Sequence, residues 1–206
     1  MPPPPMTPEQ FQVETGVSRE TLDRLRLYAD LLEKWQQRIN LVGPATLPDL
    51  WRRHMLDSAQ LWPLLPPDLP RLIDIGSGAG FPGLVLAILG VPEVHLIESD
   101  QRKGAFLREV ARQTGATVTV HSARIESILD LSAPVVTARA LAALPKLLDL
   151  AVPLLASGGQ CLFLKGQNIE EELTSARKIW IFTEDRTPSR SDSTGLVLRV
   201  REVRPK

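Results

Sequence analysis

The sequence predicts an α/β fold, in which a mostly parallel sheet of seven strands ends in an antiparallel hairpin and follows a helical extension. Three observations support this fold class. Apolar residues recur at helical spacing over the first sixty residues, and short β-rich runs alternate with helical segments from residue 71 to residue 178. The final apolar runs, 179–182 and 194–203, are joined by a polar loop without a helix. Because alternating strands and helices form right-handed βαβ units, we expect the first five strands to be parallel.

Residues 1–62 are predicted to form a proline tail and a helical extension. The successive prolines at positions 2–5 lack backbone donors and favour an extended conformation. Capping residues and apolar spacing then predict three helices, over 7–16, 18–39 and 48–61. Three tryptophans fall in this region, where we expect them in the core: Trp35, Trp51 and Trp62.

Residues 63–206 are predicted to form the α/β domain, which the chain enters through a proline-rich connector. Strands are expected near 71–75, 94–98, 117–121, 134–138 and 160–164. Helices are expected near 82–90, 101–114, 141–155 and 169–178. The single cysteine, Cys161, lies in the last of these strands and is expected to be a small core residue.

Composition excludes several classes of protein. The chain has equal numbers of acidic and basic residues, which disfavours a generic polyanion-binding protein, so any nucleic-acid surface must be local. One cysteine excludes an internal disulfide, and three histidines are too few for a dedicated zinc site, so we expect no metal. Without a membrane-length apolar run or a signal peptide, we expect a cytoplasmic monomer with no membrane partner and no stable protein partner.

The turn after the first predicted strand, Asp74–Gly83, contains four glycines. In open α/β sheets, ligands bind beyond the carboxyl ends of the strands, where the chain turns into a helix. Glycines there allow backbone conformations and close approaches that a Cβ would prevent. Gly76, Gly78 and Gly80 are therefore candidate cofactor-binding residues, and Phe81 is the aromatic residue that we expect to touch the cofactor.

Two cofactors fit this turn. Gly78–Gly83 satisfies the Gly-x-Gly-x-x-Gly fingerprint of dinucleotide sites, and Glu98 lies where a ribose-binding acid belongs. S-adenosylmethionine is favoured because Asp74 closes the strand just before the Gly-x-Gly-x-Gly run, and because the sheet is expected to end in a hairpin. The Asp74 carboxylate is expected to interact with the methionine amino group, often through water, whereas it would repel a pyrophosphate. A nicotinamide-dependent oxidoreductase stays open as the alternative.

Charged residues follow the other predicted strands. Glu98 ends the second strand and is placed to accept hydrogen bonds from ribose hydroxyls, while Ile125 and Glu126 after the third are placed to frame an adenine. Every strand beyond the first is followed by a cation, and these are Arg102, Lys103, Arg124, Arg139 and Lys165. Because such strand ends meet at one edge of a sheet, we expect a local surface there for RNA phosphates or a base.

His54, Asp57 and Ser58 share one face of the third predicted helix. Side chains on one helix point in similar directions and are poorly placed to relay a proton to a nucleophile over an oxyanion hole. The chain also lacks a Gly-x-Ser-x-Gly motif. We therefore expect a structural network at these positions, and not a hydrolase triad.

Several short motifs occur together between about Leu31 and Ala176. They are Lys34-Trp35, Asn40-Leu41, Arg53-His54, Leu56-Asp57-Ser58, the Asp74–Gly83 turn, Arg102-Lys103, Arg139-Ala140 and Leu164-Lys165-Gly166. With these motifs the chain resembles the RsmG (GidB) family of small-subunit rRNA guanine-N7 methyltransferases. The resemblance implies a Rossmann-like class I S-adenosylmethionine-dependent methyltransferase domain over 63–206. It also implies that the cofactor contacts Gly76, Phe81, Ile125, Glu126 and Arg139. The chain departs from the family at 192–195, Asp-Ser-Thr-Gly, because a Glu-Arg pair often precedes the last strand there.

The resemblance also implies a reaction. A methyl group would pass from S-adenosylmethionine to N7 of a guanosine in the 530 loop of 16S rRNA, position 527 in ribosomal numbering, in the small subunit or its assembly intermediate. Because guanine N7 exposes a lone pair, we expect a direct displacement without a general base, helped by positioning worth about 7–11 kcal/mol in favourable cases. Arg139 and Lys165 are the candidate catalytic residues, orienting the guanosine or its phosphates. A non-catalytic rRNA-binding assembly factor is the second alternative.

Overall fold

The computed structural model describes residues 3–206 and begins with a helical extension. Helix α1 spans Pro8–Thr15, and helix α2 spans Arg19–Gln36. The Thr7 hydroxyl accepts a hydrogen bond from the Gln10 backbone N–H, and the Gln10 side chain accepts one from the Thr7 backbone N–H. This is the predicted capping box, so the first two predicted helices are confirmed, with α2 about one turn shorter than expected.

The third predicted helix consists of short segments of three helix types. A 3₁₀ segment spans Pro44–Asp49, a π-helical segment spans Trp51–Leu56, and helix α3 is a single turn, Asp57–Ala59. Pro48 has no N–H to donate, which favours short turns over a regular helix at this point. The π-helical segment carries His54, and segments of this kind are often found at functional sites.

Seven strands form one mixed sheet in the order β3-β2-β1-β4-β5-β7-β6. They are β1 (Leu72–Ile75), β2 (Val94–Ile97), β3 (Val118–His121), β4 (Ala133–Arg139), β5 (Leu155–Lys165), β6 (Trp180–Pro188) and β7 (Leu196–Pro205). Strands β1 to β5 pair in parallel, whereas β7 is antiparallel to both β5 and β6. The helices after β1, β2, β4 and β5 are α4 (Gly83–Leu89), α5 (Gln101–Thr114), α6 (Leu144–Ala151) and α7 (Ile169–Ala176). The predicted sheet with a terminal hairpin is confirmed.

Two hydrophobic clusters cover the two faces of the sheet. Along β1, Leu72 belongs to the first cluster, whereas Ile73 and Ile75 belong to the second, as the alternation of a strand requires. The first cluster also contains Phe11 and Leu25 from the helical extension. The division at residue 62 remains a prediction, and residues on both sides of it contribute to this one core.

Strands β5 and β6 are longer than the sequence predicted. Strand β5 begins at Leu155, where the sequence predicted the end of a helix. The predicted strand started too late because the glycines at 158 and 159 interrupt the apolar pattern. Strand β6 continues to Pro188 through polar residues, which the apolar pattern did not predict as a strand. Polar residues are tolerated there because β6 lies at the edge of the sheet and exposes most of its side chains.

Two single residues test the expected core. Trp62 is 43% exposed, so the prediction that it lies in the core is wrong. Cys161 is fully buried as predicted, and burial raises the pKa of its thiol to about 12. Among residues 3–206, none of the helices is both long enough and apolar enough to cross a membrane.

Candidate active site

A cavity of about 550 Å³ opens at the carboxyl edge of the sheet, beside the glycine-rich turn after β1. Its lining comes from 76–79 and Phe81, 97–99 and Lys103, 123–126, 139–141, Leu150, and 41–43 with His54 of the extension. A volume of this size is typical of cofactor sites. The cavity brings together most of the predicted site residues: Gly76, Gly78, Phe81, Glu98, Lys103, Arg124, Ile125, Glu126 and Arg139.

Gly76 and Gly80 both require glycine, but they face different parts of the structure. Both have positive φ, +63° and +97°. A Cβ on Gly76 would lie 2.5 Å from Leu141 Cδ1 at the cavity wall, whereas a Cβ on Gly80 would lie 2.7 Å from the Tyr28 hydroxyl. Gly80 thus faces the extension and is not among the residues that line the cavity, and its cofactor contact remains a prediction.

Tyr28 of α2 supports the turn from behind, and sequence reasoning missed it. Its hydroxyl donates to the Ala79 carbonyl, and its ring stacks on Phe81 with 5.2 Å between the centroids. Because Tyr28 is fully buried, this hydrogen bond satisfies a hydroxyl that would cost about 1–3 kcal/mol if it were left unpaired. The available signal was that the only tyrosine of the chain lies three residues after Leu25, on the apolar face of the helix.

Asp74 lies behind the turn and does not line the cavity. The residue is fully buried, and its Oδ1 accepts a hydrogen bond of 2.7 Å from the Thr137 hydroxyl. A Cβ on Gly83 would lie 2.6 Å from Asp74 Cβ, which shows how tightly α4 covers this side chain. Burial raises the pKa of Asp74 to about 6, against the lowering effect of its hydrogen bonds. The side chain is thus set back from the cavity, and its contact with a methionine amino group, often through water, remains a prediction.

Backbone N–H donors hold the Glu98 side chain beside the glycine-rich turn. Its Oε2 accepts from the Gly78 N–H at 2.9 Å, and its Oε1 accepts from the Asp100 N–H at 2.8 Å. A carboxylate offers about four lone pairs, so acceptor capacity remains on both oxygens. The position suits hydroxyl donors on a ligand in the first cavity, as the sequence predicted.

Arg139, at the end of β4, lies in the wall between the first cavity and a second one. Its Nη1 donates to the Arg53 carbonyl at 3.1 Å and to Asp57 Oδ2 at 3.3 Å, and its Nη2 donates to His54 Nδ1 at 2.7 Å. The guanidinium carbon is 5.0 Å from the centroid of the Phe81 ring. Of the five N–H donors of the guanidinium, Nε–H and one Nη2–H meet no acceptor within the described residues. The group is therefore fixed in place with donors left for a ligand.

His54 uses both ring nitrogens in this wall. Its Nδ1 faces Arg139, and its Nε2 lies 2.7 Å from the Thr46 hydroxyl. Because arginine only donates, His54 Nδ1 must accept, and we assign the ring proton to Nε2. Nε2 then donates to the Thr46 hydroxyl, and that hydroxyl donates its own proton to the Gly43 carbonyl. Burial lowers the pKa of His54 to about 3, and the charges of Arg139 and Arg53 add to the effect. His54 is thus neutral at pH 7.

Asp57 joins this wall to the loop of the terminal hairpin, residues 189–195. Its Oδ1 accepts from Gln60 Nε2 at 2.9 Å and from the Ser191 hydroxyl at 2.5 Å. Ser58 donates to the His54 carbonyl at 2.7 Å. The expectation that this helix face forms a structural network is confirmed.

The second cavity has a volume of about 300 Å³ and shares His54, Arg139 and Ala140 with the first. Its remaining lining comes from Thr46, Arg53, Asp57, 164–166, Ser189, Ser191, Asp192 and 195–196. Sequence reasoning missed this contribution of the hairpin loop, because the contact of Ser191 with Asp57 joins residues 134 positions apart.

The predicted RNA-binding cations have different surroundings. Lys103 and Arg124 line the first cavity. Arg102 lines neither cavity, its side chain is 73% exposed, and its guanidinium pairs with Asp100. Two of these cations therefore lie at the first cavity, Arg102 precedes Lys103 in the first turn of α5, and the contact of all three with RNA remains a prediction.

Lys165 is enclosed, and its charge is already paired. Its side chain is 9% exposed, and its Nζ lies 2.5 Å from Glu172 Oε2 and donates to the Ala142 carbonyl. The expectation of a free cation for RNA at this position is therefore corrected, because Glu172 neutralises the ammonium.

Replacing Lys165 with methionine is expected to lower the free energy of unfolding by about 1–3 kcal/mol, because Glu172 would lose its charged partner in a mostly buried place. The measurement is urea denaturation. Glu172→Met removes the other partner of the ion pair and is the matched variant. The double variant Lys165→Met with Glu172→Met should recover part of the loss in the free energy of unfolding. A fully stable Lys165→Met protein with weakened RNA binding would instead favour the substrate role predicted from the sequence.

Residues 21–193 match the family model GidB, described as rRNA small subunit methyltransferase G. This span contains the glycine-rich turn, the walls of the first cavity and most of the hairpin loop. The chain belongs to the GidB family. Membership confirms the resemblance that the motifs predicted, and with it the predicted class of enzyme, a methyltransferase.

Curated relatives extend the GidB match to nearly the whole chain. The ribosomal RNA small subunit methyltransferase G of Paramagnetospirillum magneticum is 64% identical over 198 residues, which cover 96% of this chain and 97% of the relative. The protein of the same name from Rhodospirillum rubrum is 56% identical over 198 residues, covering 96% and 98%.

Solved structures place this GidB chain in the class I methyltransferase fold. An S-adenosylmethionine-dependent O-methyltransferase from Thermotoga maritima aligns with a TM-score of 0.59 at 17% identity, over 87% of this chain and 72% of that one. TYW2 of M. jannaschii, in complex with AdoMet, aligns with a TM-score of 0.56 at 15% identity, over 82% and 80%. At such identities the likeness concerns the fold, and the predicted fold class is confirmed.

Proposed function

We propose that this protein transfers the methyl group of S-adenosylmethionine to N7 of a guanosine in the 530 loop of 16S rRNA, in the small ribosomal subunit or its assembly intermediate. The observation that carries the proposal is the pair of adjoining cavities with Arg139 in their shared wall. A cofactor and a base need two such compartments with a common boundary. The names of the GidB relatives support an rRNA substrate.

The first cavity suits S-adenosylmethionine by its chemistry. Gly76 has a backbone conformation and a contact with Leu141 that leave no room for a Cβ, so the turn forms a narrow cradle. We assign Glu98 to the ribose hydroxyls, and Ile125 and Glu126 to the adenine, because all three line this cavity. When bound, S-adenosylmethionine supplies an electrophilic methyl group on a sulfonium centre.

No general base is needed at the shared wall, and its titratable groups fit that expectation. Guanine N7 carries a lone pair before the reaction. His54 is neutral at pH 7, yet its Nδ1 lone pair is already occupied by Arg139. Asp57 accepts hydrogen bonds on both carboxylate oxygens. These groups hold the wall in place and are poorly placed to remove a proton from a substrate.

Catalysis in this proposal comes from alignment. Arg139 is fixed by three protein acceptors, and the residue lines both cavities. We assign its remaining donors to a ligand at their shared wall. A group held in this way orients a substrate without losing side-chain freedom during the reaction, and such positioning is worth about 7–11 kcal/mol in favourable cases. Lys103, Arg124 and the exposed Arg102 are assigned to nearby RNA phosphates.

The test is methyl transfer to RNA. The purified protein is incubated with donor labelled in its methyl group and with small subunits from cells that lack the gene, and the modified base is mapped by mass spectrometry. We expect one labelled 7-methylguanosine in the 530 loop. Label on another nucleotide would contradict the proposed target, and subunit binding without any transfer would favour an assembly factor.

A thermal-shift comparison addresses the cofactor separately. S-adenosylhomocysteine should raise the melting temperature, because a ligand that binds only the folded state stabilises it, whereas NAD should not. The opposite result would favour the nicotinamide-dependent alternative.

A further inference from the structure

We infer that the second cavity receives the target guanine and that Asp192 of the hairpin loop recognises its N1–H and N2–H donors. The inference rests on the proposed function and deepens it, because it names a specificity-determining residue for the same reaction.

The charges of the second cavity favour a neutral base over a phosphate. Each cation at this cavity has its own carboxylate partner in the three pairs Arg139–Asp57 at 3.3 Å, Arg53–Asp192 at 2.7 Å and Lys165–Glu172 at 2.5 Å. A phosphate would meet the Asp57 and Asp192 carboxylates in the lining, and Glu172 already neutralises Lys165, so the phosphate gains little net attraction. A polar ring without charge finds both donors and acceptors on the same walls.

The order of groups along the wall matches the order of groups on guanine. Arg139, with its unused donors, contacts the Arg53 carbonyl, and the Arg53 guanidinium in turn contacts Asp192. Around the guanine ring, N7 is followed by the O6 acceptor and then by the N1–H and N2–H donors. With N7 towards the first cavity, O6 meets the Arg139 donors, and the donor edge meets the carboxylate of Asp192.

Asp192 is prepared to accept hydrogen bonds from a ligand. Its Oδ1 accepts from the Thr194 N–H at 2.9 Å and from the Thr194 hydroxyl at 2.8 Å, while its Oδ2 accepts only from Arg53. These bonds lower the pKa of Asp192 to about 2, so the group is ionised and can only accept. Its side chain is 34% exposed, against 16% for Asp57, which makes it the more accessible carboxylate.

Gln60 holds the loop that carries Asp192. This side chain is buried, its Oε1 accepts from the Arg190 N–H at 2.9 Å, and its Nε2 donates to the Ser189 hydroxyl at 3.2 Å. The loop is therefore in position before a substrate arrives, which lowers the entropic cost of recognition.

The test compares guanosine with inosine at the target nucleotide, because inosine lacks only the N2 amine. Small subunits are reconstituted with either base, and single-turnover methylation is measured for the wild type, Asp192→Asn, Arg53→Gln and Asp185→Asn. Asp185 lies on β6 of the same hairpin, pairs with Arg201 and lies outside both cavities, so Asp185→Asn is the matched control. We expect the wild type and the control to prefer guanosine by roughly 5- to 150-fold.

Asp192→Asn should reduce this preference to below about threefold, with unchanged binding of S-adenosylhomocysteine in calorimetry. Arg53→Gln removes the ion pair but keeps the carboxylate, so it should retain the preference even if its rate is lower. A full guanosine preference in Asp192→Asn would overturn the inference, as would a wild type that does not distinguish the two bases. Absence of methyl transfer to either subunit by the wild type would overturn the proposed function itself.

Discussion

Replacing Arg139 with alanine is expected to slow methyl transfer to small subunits by roughly 100- to 1,000-fold, the usual effect of losing one oriented donor in a preorganised site. The variant loses the unused donors at the junction of the cavities and frees His54 and Asp57 from their shared partner. Because the first cavity keeps its glycine-rich turn and Glu98, the affinity for S-adenosylhomocysteine should fall much less than the rate.

Single-turnover rates with labelled donor measure this effect. Arg139→Lys keeps a positive charge but loses the planar set of donors, so its rate should lie between those of wild type and alanine variant. Arg177→Ala, which removes a guanidinium that is 56% exposed and pairs with Glu184, is the surface control. A titration of His54 by NMR gives a second readout, because loss of one neighbouring charge should raise its pKa from about 3. An alanine variant within threefold of the wild-type rate would refute the role.

Asp74 is expected to make the protein less stable as the pH rises from about 4 to about 6. Its pKa rises from 3.8 to about 6 on burial, so the folded state binds this proton more tightly than the unfolded state. The folded state is therefore favoured by protonation, and the advantage disappears as the pH rises through this window. A shift of about two units corresponds to about 3 kcal/mol.

The measurement is urea denaturation of wild type and Asp74→Asn at pH 4, 5, 6 and 7. Asparagine does not titrate, so the difference in the free energy of unfolding between the two proteins should move by about 3 kcal/mol across the window, in favour of the variant at higher pH. Asp185→Asn, an exposed carboxylate, should show no such trend. A constant difference between wild type and Asp74→Asn would show that Asp74 does not govern this pH dependence.

Local patterns explain why the sequence predicted the turn and its strand ends. Glycine spacing after an apolar strand specifies a turn, and parallel strands bring their carboxyl ends to one edge. Glu98, Ile125 and Arg139 were placed correctly beside the turn for this reason, since each lies at or just after the end of its strand.

The burial of Asp74 was not predicted, because its position along the chain was considered without the direction of its side chain. Side chains alternate along a strand, so Asp74 points to the same face as Leu72. That face is covered by α4 and the helical extension, and the carboxylate is buried there instead of reaching the edge.

The partners of Lys165 and Asp57 lay beyond sequence reasoning for a different reason. A cation at a strand end gives no sign of whether an acid from another element will neutralise it. Glu172 comes from α7 and Ser191 from the hairpin loop, and only the packed fold brings them to these side chains. In the sequence, Tyr28 is likewise indistinguishable from the apolar residues of α2. Only the fold shows that its hydroxyl donates to the Ala79 carbonyl.

The strand order has a consequence for the timing of assembly during synthesis. Strand β6 joins the sheet through β7 alone, although β7 is made after it. A nascent chain that stops short of residue 196 already contains every residue that lines the first cavity, but it lacks the strand through which β6 and the loop carrying Asp192 join the sheet. We therefore expect a growing polypeptide to complete the first cavity before the second, so that the proposed reaction must wait until the hairpin has closed.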